Sequence, residues 1–359
     1  MSRVTLGDVA IERRESCKGD KSRYPVVGLE HLTPEEINLT AWDESGENTF
    51  TKIFHKGDIL FGRRRAYLKK AALAPFDGIC SGDITVIEAK SDYILPELLP
   101  FVIQNDNFFD FAVGKSAGSL SPRVKWEHLK EYEFNLPSIE EQKNISKILW
   151  SINDTIEAYK KLTALTDELV KAKFVEMFGD VEKIQLEQIA IITMGQSPSS
   201  ETYNSNNQGI PFYQGSGEFT DKYVGKGMFC TVPTRIAKSG DVLMSVRAPV
   251  GTVNLTLRDC CIGRGLAAIR SKLSAEYNEF FLYAFRAMIN EFASMGHGTT
   301  ILAINKNELH SLMIPNASPV EQKKFIFFAQ QVDKSKSEIR QSMTTAKAMM
   351  KKIITENLG

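Results

Sequence analysis

The sequence lacks the features that would place it in a membrane or in an oxidising compartment. Its 359 residues contain no uninterrupted apolar stretch of about 18 residues, so we expect no membrane span. The N-terminal segment MSRVTLGDVAIERRE has no apolar signal core. The five cysteines are an odd number without CxxC or Cys/His spacing, which argues against structural zinc. We therefore expect a cytoplasmic protein with reduced thiols.

The sequence also lacks the motifs of the common catalytic sites. Segment 223–228, YVGKGM, contains glycine and lysine but not the frame of a Walker A loop. Neither a G-x-S-x-G elbow nor an H-E-x-x-H motif occurs, and the five histidines are scattered. These absences favour binding over catalysis, and we assign no catalytic residue and no metal ligand. Metal-dependent nucleases use few acidic residues, so an enzyme with a cryptic site stays open as an alternative.

What the sequence does contain is an internal repeat. Three pairs of segments resemble each other in the same order and at nearly one spacing: EQK at 141–143 and 321–323, KGDILFGRRRAY at 56–67 with SGDVLMSVRAPV at 239–250, and GKSAGSLSPRVKWEHL at 114–129 with GHGTTILAINKNEL at 296–309. Self-similarity of this kind is the signature of a duplicated structural unit. We therefore expect a tandem duplication.

Each half of the repeat predicts a mixed domain followed by a long helix. The runs DITVIEA (83–89) and DVLMSV (241–246) are typical of strands, and the segments 93–113 and 274–295 are typical of helices. Ser138 with Glu141 and Ser318 with Glu321 fit a capping box at the start of each long helix. The predicted fold is α+β, with two globular domains at 1–137 and 181–315 and two helical segments at 138–180 and 316–359.

The two long helices carry a seven-residue apolar period. In the first, the rows are Ile145, Ile152 and Tyr159, and Ile148, Leu162 and Leu169. In the second, the main row is Phe325, Val332, Ile339, Ala346 and Ile353, with Phe328 and Met349 beside it. Such a seam predicts packing against another helix, most simply the other copy in the same chain. Polar residues interrupt both seams (Thr155, Thr166, Ser335, Ser342). Helices that only cap their own domains are the alternative.

A basic run in the first half predicts a nucleic-acid contact. Formal net charge is zero, with 44 basic and 44 acidic residues, yet segment 52–70 has seven basic residues and one acid, Asp58. Arginine can pair with guanine edges or with phosphate. The candidate DNA-binding residues of the first half are Arg63, Arg64, Arg65, Lys69, Lys70 and Arg123, with Tyr67 inside the run. A solvated charged hairpin is the alternative.

The second half offers polar side chains instead of a basic run. Segment 194–217, MGQSPSSETYNSNNQGIPFYQGSG, is rich in amides and hydroxyls, which can bind adenine edges and phosphates. The candidate DNA-binding residues here are Gln196, Ser197, Tyr203, Tyr213, Gln214, Arg247 and Lys306. The glycine-rich segments 114–119 and 296–300 could offer backbone N–H groups to phosphate, or could be simple turns.

Taken together, these motifs resemble the specificity subunit of a type I restriction-modification system. The resemblance covers nearly the whole chain and depends on GQSPSSETYN, GIPFYQGSG, GDVLMSVRAPVG and the two proline–EQK helices. It implies two target-recognition domains that read a bipartite double-stranded DNA sequence, related by a pseudo-two-fold axis. The resemblance also implies that the two long helices form an antiparallel coiled coil that acts as a spacer, and half-sites roughly 34 Å apart would suit it. The first half departs from the pattern, because it lacks the Gly-Gln-Ser-Pro opening.

The resemblance also implies partners and the absence of catalysis in this chain. Methyltransferase subunits would dock on the helical regions, and a restriction and translocase subunit would join them. We expect no cofactor on this chain, since S-adenosylmethionine, ATP and Mg²⁺ would belong to those partners. Besides the cryptic enzyme, a coiled-coil adaptor that binds no specific DNA stays open. The DNA sequence recognised cannot be derived from the residues, because base choice depends on loop geometry and DNA deformability.

Overall fold

The computed structural model describes residues 2–44, 49–289 and 303–359, which form two compact units. The first unit comprises Met1–Lys161 with Arg340–Gly359, and the second comprises Leu162–Ile339. Each unit therefore takes a segment of both long helices. Among the described residues, no helix is long and apolar enough to cross a membrane.

The globular part of the first unit alternates short strands with short helices. Its strands are β1 Ser2–Thr5, β2 Ala10–Glu12, β3 Val26–Val27, β4 Lys52–Phe54, β5 Ile59–Gly62, β6 Ala71–Leu73, β7 Gly78–Cys80, β8 Ile84–Ala89 and β9 Glu133–Leu136. Its helices are α1 Leu6–Val9, α2 Leu99–Ile103, α3 Asp106–Gly114, α4 Trp126–Leu129 and the start of α5 Ile139–Phe178. A 3-10 turn occupies Ala66–Leu68.

The second unit repeats this order. Its strands are β10 Lys183–Gln185, β11 Ala190–Met194, β12 Tyr203–Asn204, β13 Ile210–Tyr213, β14 Met228–Cys230, β15 Ile236–Ala237, β16 Val242–Ser245, β17 Val253–Leu255, β18 Cys260–Ile262, β19 Leu266–Ser271 and β20 Met313–Pro315. Its helices are α6 Leu186–Ile189, α7 Asn278–Ala287, α8 Lys306–His310 and α9 Pro319–Leu358, with 3-10 turns at Ser200–Thr202 and Ala275–Tyr277.

The four-stranded sheets of the two units match strand for strand, and their second sheets share a parallel strand pair. An antiparallel sheet of order β2-β8-β5-β6 in the first unit corresponds to β11-β19-β16-β17 in the second. A second sheet, β3-β7-β4 or β12-β14-β13-β18-β15, contains a parallel pair in each unit, β3 with β7 and β13 with β18. The terminal strands also pair, β1 with β9 and β10 with β20. The α+β class and the duplication predicted from the sequence are therefore confirmed.

The repeated Gly-Asp pair is a structural turn in both units. Gly57 and Gly240 have φ of 94° and 83°, a left-handed conformation that favours glycine. The carboxylate that follows is buried and accepts a backbone N–H three residues upstream, at 2.8 Å in each unit. Asp58 also pairs with Arg13 and Asp241 with Arg270, each at 2.7 Å. This turn therefore fixes the start of β5 and β16 in the same way.

The repeated EQK triplet anchors each long helix to its domain. The hydroxyls of Ser138 and Ser318 each donate to the carboxylate of the glutamate three residues later, at 2.8 and 2.7 Å, and their backbone N–H groups donate to the same carboxylates, which confirms both capping boxes. Those hydrogen bonds hold the pKa of Glu141 and of Glu321 below the ordinary value. The glutamine of each triplet is buried and donates to the backbone carbonyl five residues upstream, at 3.0 and 2.8 Å. The glutamate thus caps the helix, and the glutamine binds the short segment between the preceding strand and the helix.

The two long helices pack antiparallel within each unit, as predicted. In the second unit, Phe174 and Phe178 of α5 pack on Phe325 of α9, with ring centroids 5.3 and 5.6 Å apart. In the first unit, Leu149 of α5 and Ile354 of α9 belong to one buried cluster. The end of one helix therefore meets the start of the other in both cases.

Only part of the predicted seam is buried. The α9 row of Phe325, Val332, Ile339, Ala346 and Ile353 is buried or half-buried, as expected. On α5 the row of Ile148, Leu162 and Leu169 is exposed by 48%, 45% and 50%, so its assignment to the seam was wrong. The buried positions of α5 are instead Gln142, Ser146, Leu149, Asn153, Ile156, Thr166, Val170, Phe174 and Phe178. The physical reason is that α5 also packs on its globular domains, where Phe174 and Phe178 contact Phe280 of α7.

The predicted helix over 93–113 is two helices. The chain leaves α2 at Ile103, and α3 begins at Asp106. Asn105 has extended backbone and its side chain accepts the N–H of Asn107 at 3.0 Å, so it caps the second helix. Apolar periodicity continued across the break because Phe108 and Phe109 pack on the same aromatic core, next to Phe61.

Candidate nucleic-acid interface

Both units end their central strand at the same structural position, and backbone hydrogen bonds define the correspondence. Arg63 N donates to Asp83 O at 3.0 Å, and Val246 N donates to Gly265 O at 2.9 Å. One residue later, Arg64 forms a bridge to Arg123, and Arg247 forms the equivalent bridge to Ala303. Arg64 and Arg247 therefore occupy matching positions just after β5 and β16.

The parallel strands of each unit end beside this position. Ser81 N donates to Val27 O at 3.0 Å in the first unit, and Gly263 N donates to Tyr213 O at 2.8 Å in the second. The residues that follow correspond in turn. Gly28, Gly82 and Asp83 of the first unit match Gln214, Arg264 and Gly265 of the second. We call these matching surfaces the recognition edges of the two units.

The recognition edge of the first unit is an ion cluster around one carboxylate. Arg123 makes a bidentate pair with Asp83, at 2.6 and 3.1 Å, and Arg64 Nη1 lies 3.5 Å from the same carboxylate. Arg64 Nη2 also donates to the hydroxyl of Ser121 at 3.1 Å. The Nε atoms of Arg63 and Arg64 are buried, and neither finds a hydrogen-bond partner in the described part of the chain. The cluster therefore holds Arg64 and Arg123 in fixed positions and carries net positive charge.

The charge of this cluster is set by the arginines. The hydrogen bond from Arg123, followed by the charges of Arg123, Arg64 and Arg63, lowers the pKa of Asp83 below its ordinary value. The same pair raises the pKa of Arg123. Asp83 is therefore ionised at neutral pH, and three arginines against one carboxylate leave an excess of positive charge.

The lysines of the predicted basic run do not lie at this edge, whereas Arg65 lies beside it. Lys69 pairs with Asp106 at 2.5 Å, and Lys70 donates to the carbonyl of Leu29 at 2.6 Å. Lys52 donates to Ile84 O at 2.7 Å, and burial lowers its pKa. Arg65 is exposed, with φ of 55°, and its N–H donates to Pro122 O at 2.8 Å. The structure thus brings Arg63, Arg64, Arg65 and Arg123 together and leaves Lys69 and Lys70 in local contacts.

The recognition edge of the second unit is an open cleft. It has a volume of 270 Å³ and is lined by Gln214, Gly215, Ser216, Ser245, Arg247, Ala248, Arg264 and Gly265. None of these lining residues is acidic. The side chains of Arg247 and Arg264 are exposed and have no ion-pair or hydrogen-bond partner among the described residues. Two guanidinium groups without a carboxylate make the cleft a site of positive potential.

The Gly-Gln-Ser-Pro segment supports this cleft from behind. A Cβ at Gly195 would lie 2.1 Å from the carbonyl oxygen of Gly263, so the close approach requires glycine. Gln196 N donates to Ile262 O at 3.0 Å, and Ser197 Oγ accepts the N–H of Arg264 at 3.3 Å. Tyr203 stacks on Phe212 at 4.6 Å and donates to Pro198 O at 2.9 Å. Ser197 and Tyr203 therefore position the edge, while the Gln196 side chain is exposed beside it.

Of the remaining predicted residues, one is buried and two are exposed. Tyr213 is buried, its hydroxyl donates to Gly225 O at 2.9 Å, and burial raises its pKa. Gln214 is exposed in the cleft. Lys306 is exposed in the first turn of α8, which Asn305 caps in a capping box with Glu308. The predicted glycine-rich segment 296–300 lies outside the described residues.

Comparison with known proteins identifies the duplicated unit. The family described as type I restriction modification DNA specificity domain matches the sequence twice, over residues 2–166 and 179–346. The chain belongs to this family. A putative type I restriction enzyme specificity subunit, MjaX of Methanocaldococcus jannaschii, is 27% identical over 92% of this chain and 89% of its own length.

Other relatives agree with this assignment. The specificity subunit of the type I enzyme EcoDI of Escherichia coli is 28% identical over 40% of this chain and 35% of its own length. A chain from a structure of type I restriction-modification complex assembly aligns over 99% of this chain and 97% of its own, with 27% identity and a TM-score of 0.62. A type I S subunit from M. genitalium shares the fold at a TM-score of 0.57, with 14% identity.

Two residues at the edges of these specificity domains were missed by the sequence reasoning. Asp83 lies in a segment that was interpreted only as a strand, and Arg264 lies in CCIGRGLAAI, which has no polar or basic excess. One signal could have found Arg264, because glycines flank it on both sides. A Cβ at Gly263 or Gly265 would lie 3.0 or 2.4 Å from backbone atoms of Gln214. Glycine pairs of this kind indicate a close backbone approach that fixes the residue between them.

Proposed function

We propose that this chain recognises a bipartite DNA target for a type I restriction-modification complex, and that each unit reads one half of that target. The observation that carries the proposal is the matched position of Arg64 and Arg247 in two recognition edges that otherwise differ. The DNA backbone is the same in both half-sites, whereas the base sequence differs. A shared arginine within different surroundings suits a protein that binds one polymer and reads two sequences.

The electrostatics of the edges support DNA as the ligand. The chain has no net charge, so a basic surface is a local feature of the fold. Arg63, Arg64 and Arg123 outnumber Asp83 at one edge, and Arg247 and Arg264 are unopposed at the other. Guanidinium groups bind phosphate oxygens and guanine edges with the same planar fork. Binding by the isolated chain would therefore depend strongly on salt.

The chemistry of modification and cleavage would belong to partner subunits. Our proposal assigns S-adenosylmethionine, ATP and Mg²⁺ to methyltransferase and restriction subunits, and no catalytic step to this chain. Leu162, Leu165 and Leu169 form an exposed apolar face on α5, with 45%, 47% and 50% of each residue accessible. Residues three, four and seven apart lie on one side of a helix, and we assign this face to packing on a helix of a methyltransferase subunit.

A domain exchange tests the proposal. The chain is produced with its cognate methyltransferase subunit, residues 1–136 are replaced by the equivalent segment of a specificity subunit with another target, and methylated DNA is sequenced. We expect one half of the methylated motif to change and the other to persist. A change in both halves, or in neither, would contradict the assignment of one half-site to each unit.

Two controls address the rival functions. An adaptor that binds no specific DNA would leave methylation without a defined motif, and tighter binding to duplexes that contain the motif than to duplexes that lack it would exclude it. An enzyme with a cryptic site would modify DNA as the purified chain alone, supplied with Mg²⁺ or S-adenosylmethionine. We expect no modification by the chain alone and full methylation when the partner is added.

A further inference from the structure

The two recognition edges share one arginine and differ in the side chains around it. Arg64 and Arg247 match, but Gly28 stands where the second unit has Gln214, and Gly82 stands where it has Arg264. Conversely, the positions of Asp83 and Arg123 are taken by Gly265 and Ala303 in the second unit. Each unit thus presents a different set of polar side chains on the same backbone frame.

The frame fixes the backbone of Arg264 more tightly than an ordinary loop would. Gly263 N donates to Tyr213 O at 2.8 Å, Leu266 N donates to Gly263 O at 3.0 Å, and Arg264 N donates to Ser197 Oγ at 3.3 Å. Gly265 lies against the carbonyl of Gln214 so closely that a Cβ would be 2.4 Å from that oxygen. The backbone is therefore anchored on both sides of Arg264, while the guanidinium stays exposed.

We propose that Arg264 contacts a guanine base of the second half-site, whereas Arg247 beside it contacts the DNA backbone, as Arg64 does in the first half-site. The inference rests on the proposed function. Arg64 and Arg247 occur in both units, so we assign them to the phosphates, which both half-sites have. Arg264 occurs in the second unit only, so we assign it to a base, which distinguishes that half-site. A guanidinium held by its backbone can place two N–H groups on guanine O6 and N7.

The shape of the cleft favours a base in the duplex over a base turned out of it. A flipped base needs an aromatic or apolar face on which to stack. The residues that line the 270 Å³ cleft contribute no aromatic side chain. They contribute guanidinium, amide and hydroxyl groups, which bind edges and phosphates. The cleft therefore suits a base that stays in the duplex and presents its edge in a groove of the DNA.

The test is methylation-motif sequencing of the complex with Arg264→Ala, Arg264→Lys and Arg247→Ala. For Arg264→Ala, we expect one guanine in the second half of the motif to become degenerate, with discrimination at that position reduced roughly tenfold or more. Arg264→Lys keeps the charge but loses the fork, so it should keep overall binding and lose part of the discrimination. Arg247→Ala should lower binding without changing the motif, and should reduce the salt slope of binding by about one.

Arg258→Ala is the matched control. Arg258 is exposed in the same unit, close to the Asp241 turn at the opposite end of β16, and should alter neither motif nor binding. Melting temperatures show whether each variant is folded. A uniform loss of methylation in Arg264→Ala with an unchanged motif would overturn the base contact, as would a wild-type motif without guanine in that half. Absence of any bipartite motif for the wild-type complex would instead overturn the proposed function.

Discussion

The recognition edges of the two units hold their arginines in opposite ways. In the first, Asp83 pairs with Arg123 at 2.6 Å and lies 3.5 Å from Arg64, so the guanidinium groups are held by protein contacts. In the second, Arg247 and Arg264 line a cleft without acidic residues. Their backbone is held in place, but their guanidinium groups have no partner among the described residues. The backbone frame is nevertheless the same. The same backbone frame thus positions the DNA-facing residues in both units, and the few side chains that differ between the edges determine what these residues contact.

The shared frame depends on the Gly-Asp turns, and the largest expected effect is their loss. Asp58→Ala and Asp241→Ala each leave a half-buried arginine without its main partner and free a backbone N–H. We expect each to lower the free energy of unfolding by about 3 kcal/mol. Denaturant unfolding measures the loss, and Glu133→Ala, which breaks an exposed pair with Arg3, is the control with little effect. A large loss for one turn only would break the equivalence of the two units.

The second edge should be sensitive to a single methyl group. In Gly265→Ala, the new Cβ would meet the carbonyl oxygen of Gln214 at 2.4 Å, so the strand tip must move. We expect a loss of about 1–3 kcal/mol in stability and weaker discrimination at the second half-site. Gly217→Ala, in the same unit but outside the residues that line the cleft, is the control, because nothing lies within 4 Å of a Cβ there. Unchanged motif and stability in Gly265→Ala would show that the tip is not held as described.

In the first unit, loss of the Asp83 carboxylate should free the arginines of the recognition edge without lowering the stability of the fold. Asp83→Ala removes the partner of Arg123 and Arg64, but the pair with Arg123 is exposed and its contribution to folding is small. We expect little change in melting temperature, tighter binding to non-specific DNA at low salt, and a degenerate first half of the motif, with the second half unaffected. Fluorescence anisotropy and motif sequencing measure these effects. Degeneracy in the second half would contradict the separation of the two edges.

The smallest expected difference between the units is a pH effect. His55 lies 3.2 Å from Asp77 and 3.1 Å from Glu15, and these carboxylates raise its pKa. Its protonated form therefore stabilises the folded unit below about pH 6.5, and this contribution, under about 1 kcal/mol for so exposed a group, is lost as pH rises through the raised pKa. The second unit has Lys238 with Asp259 at the equivalent place, at 2.8 Å.

Unfolding of His55→Gln across pH 5.5–8 measures this contribution. The wild-type protein should lose a small amount of stability as pH rises, and the variant should lose less. Lys238→Gln is the matched variant, since lysine keeps its charge over this range and its removal should lower stability equally at every pH. If the pH dependence of stability were the same in wild type and His55→Gln, His55 would not be its source.

Sequence alone predicted the frame better than the edges. The capping boxes of Ser138 and Ser318 are local patterns, and the duplication is visible in matched segments such as the repeated Gly-Asp pair, so the sequence reveals both. The match of Val27 with Tyr213 was invisible, because the segments PVVG and PFYQ share only proline and become equivalent through a parallel strand pair. Ser197 and Tyr213 were predicted from their chemistry as DNA contacts; each also makes a hydrogen bond within the second unit, and the predicted contact with DNA is untested.

The exposed residues of the edges could be predicted only in part. Arg64, Arg123 and Arg247 stood out by charge, but Asp83 and Arg264 did not, since their importance comes from neighbours distant in sequence. The buried side of α5 was also mispredicted, because it too depends on residues distant in sequence. The row of Ile148, Leu162 and Leu169 was interpreted as a contact with α9, but it is exposed, and the globular domain covers a different side of the helix. The DNA contacts themselves stay predictions.

Ethylation interference on a target duplex tests the central equivalence of Arg64 and Arg247 most directly. The assembled complex is compared with its Arg64→Ala and Arg247→Ala variants, and phosphates whose ethylation blocks binding are mapped on both strands. We predict that Arg64→Ala loses interference at a phosphate of the first half-site only, and that Arg247→Ala loses it at the corresponding phosphate of the second. Loss within the same half-site for both variants, or no loss for either, would contradict the account.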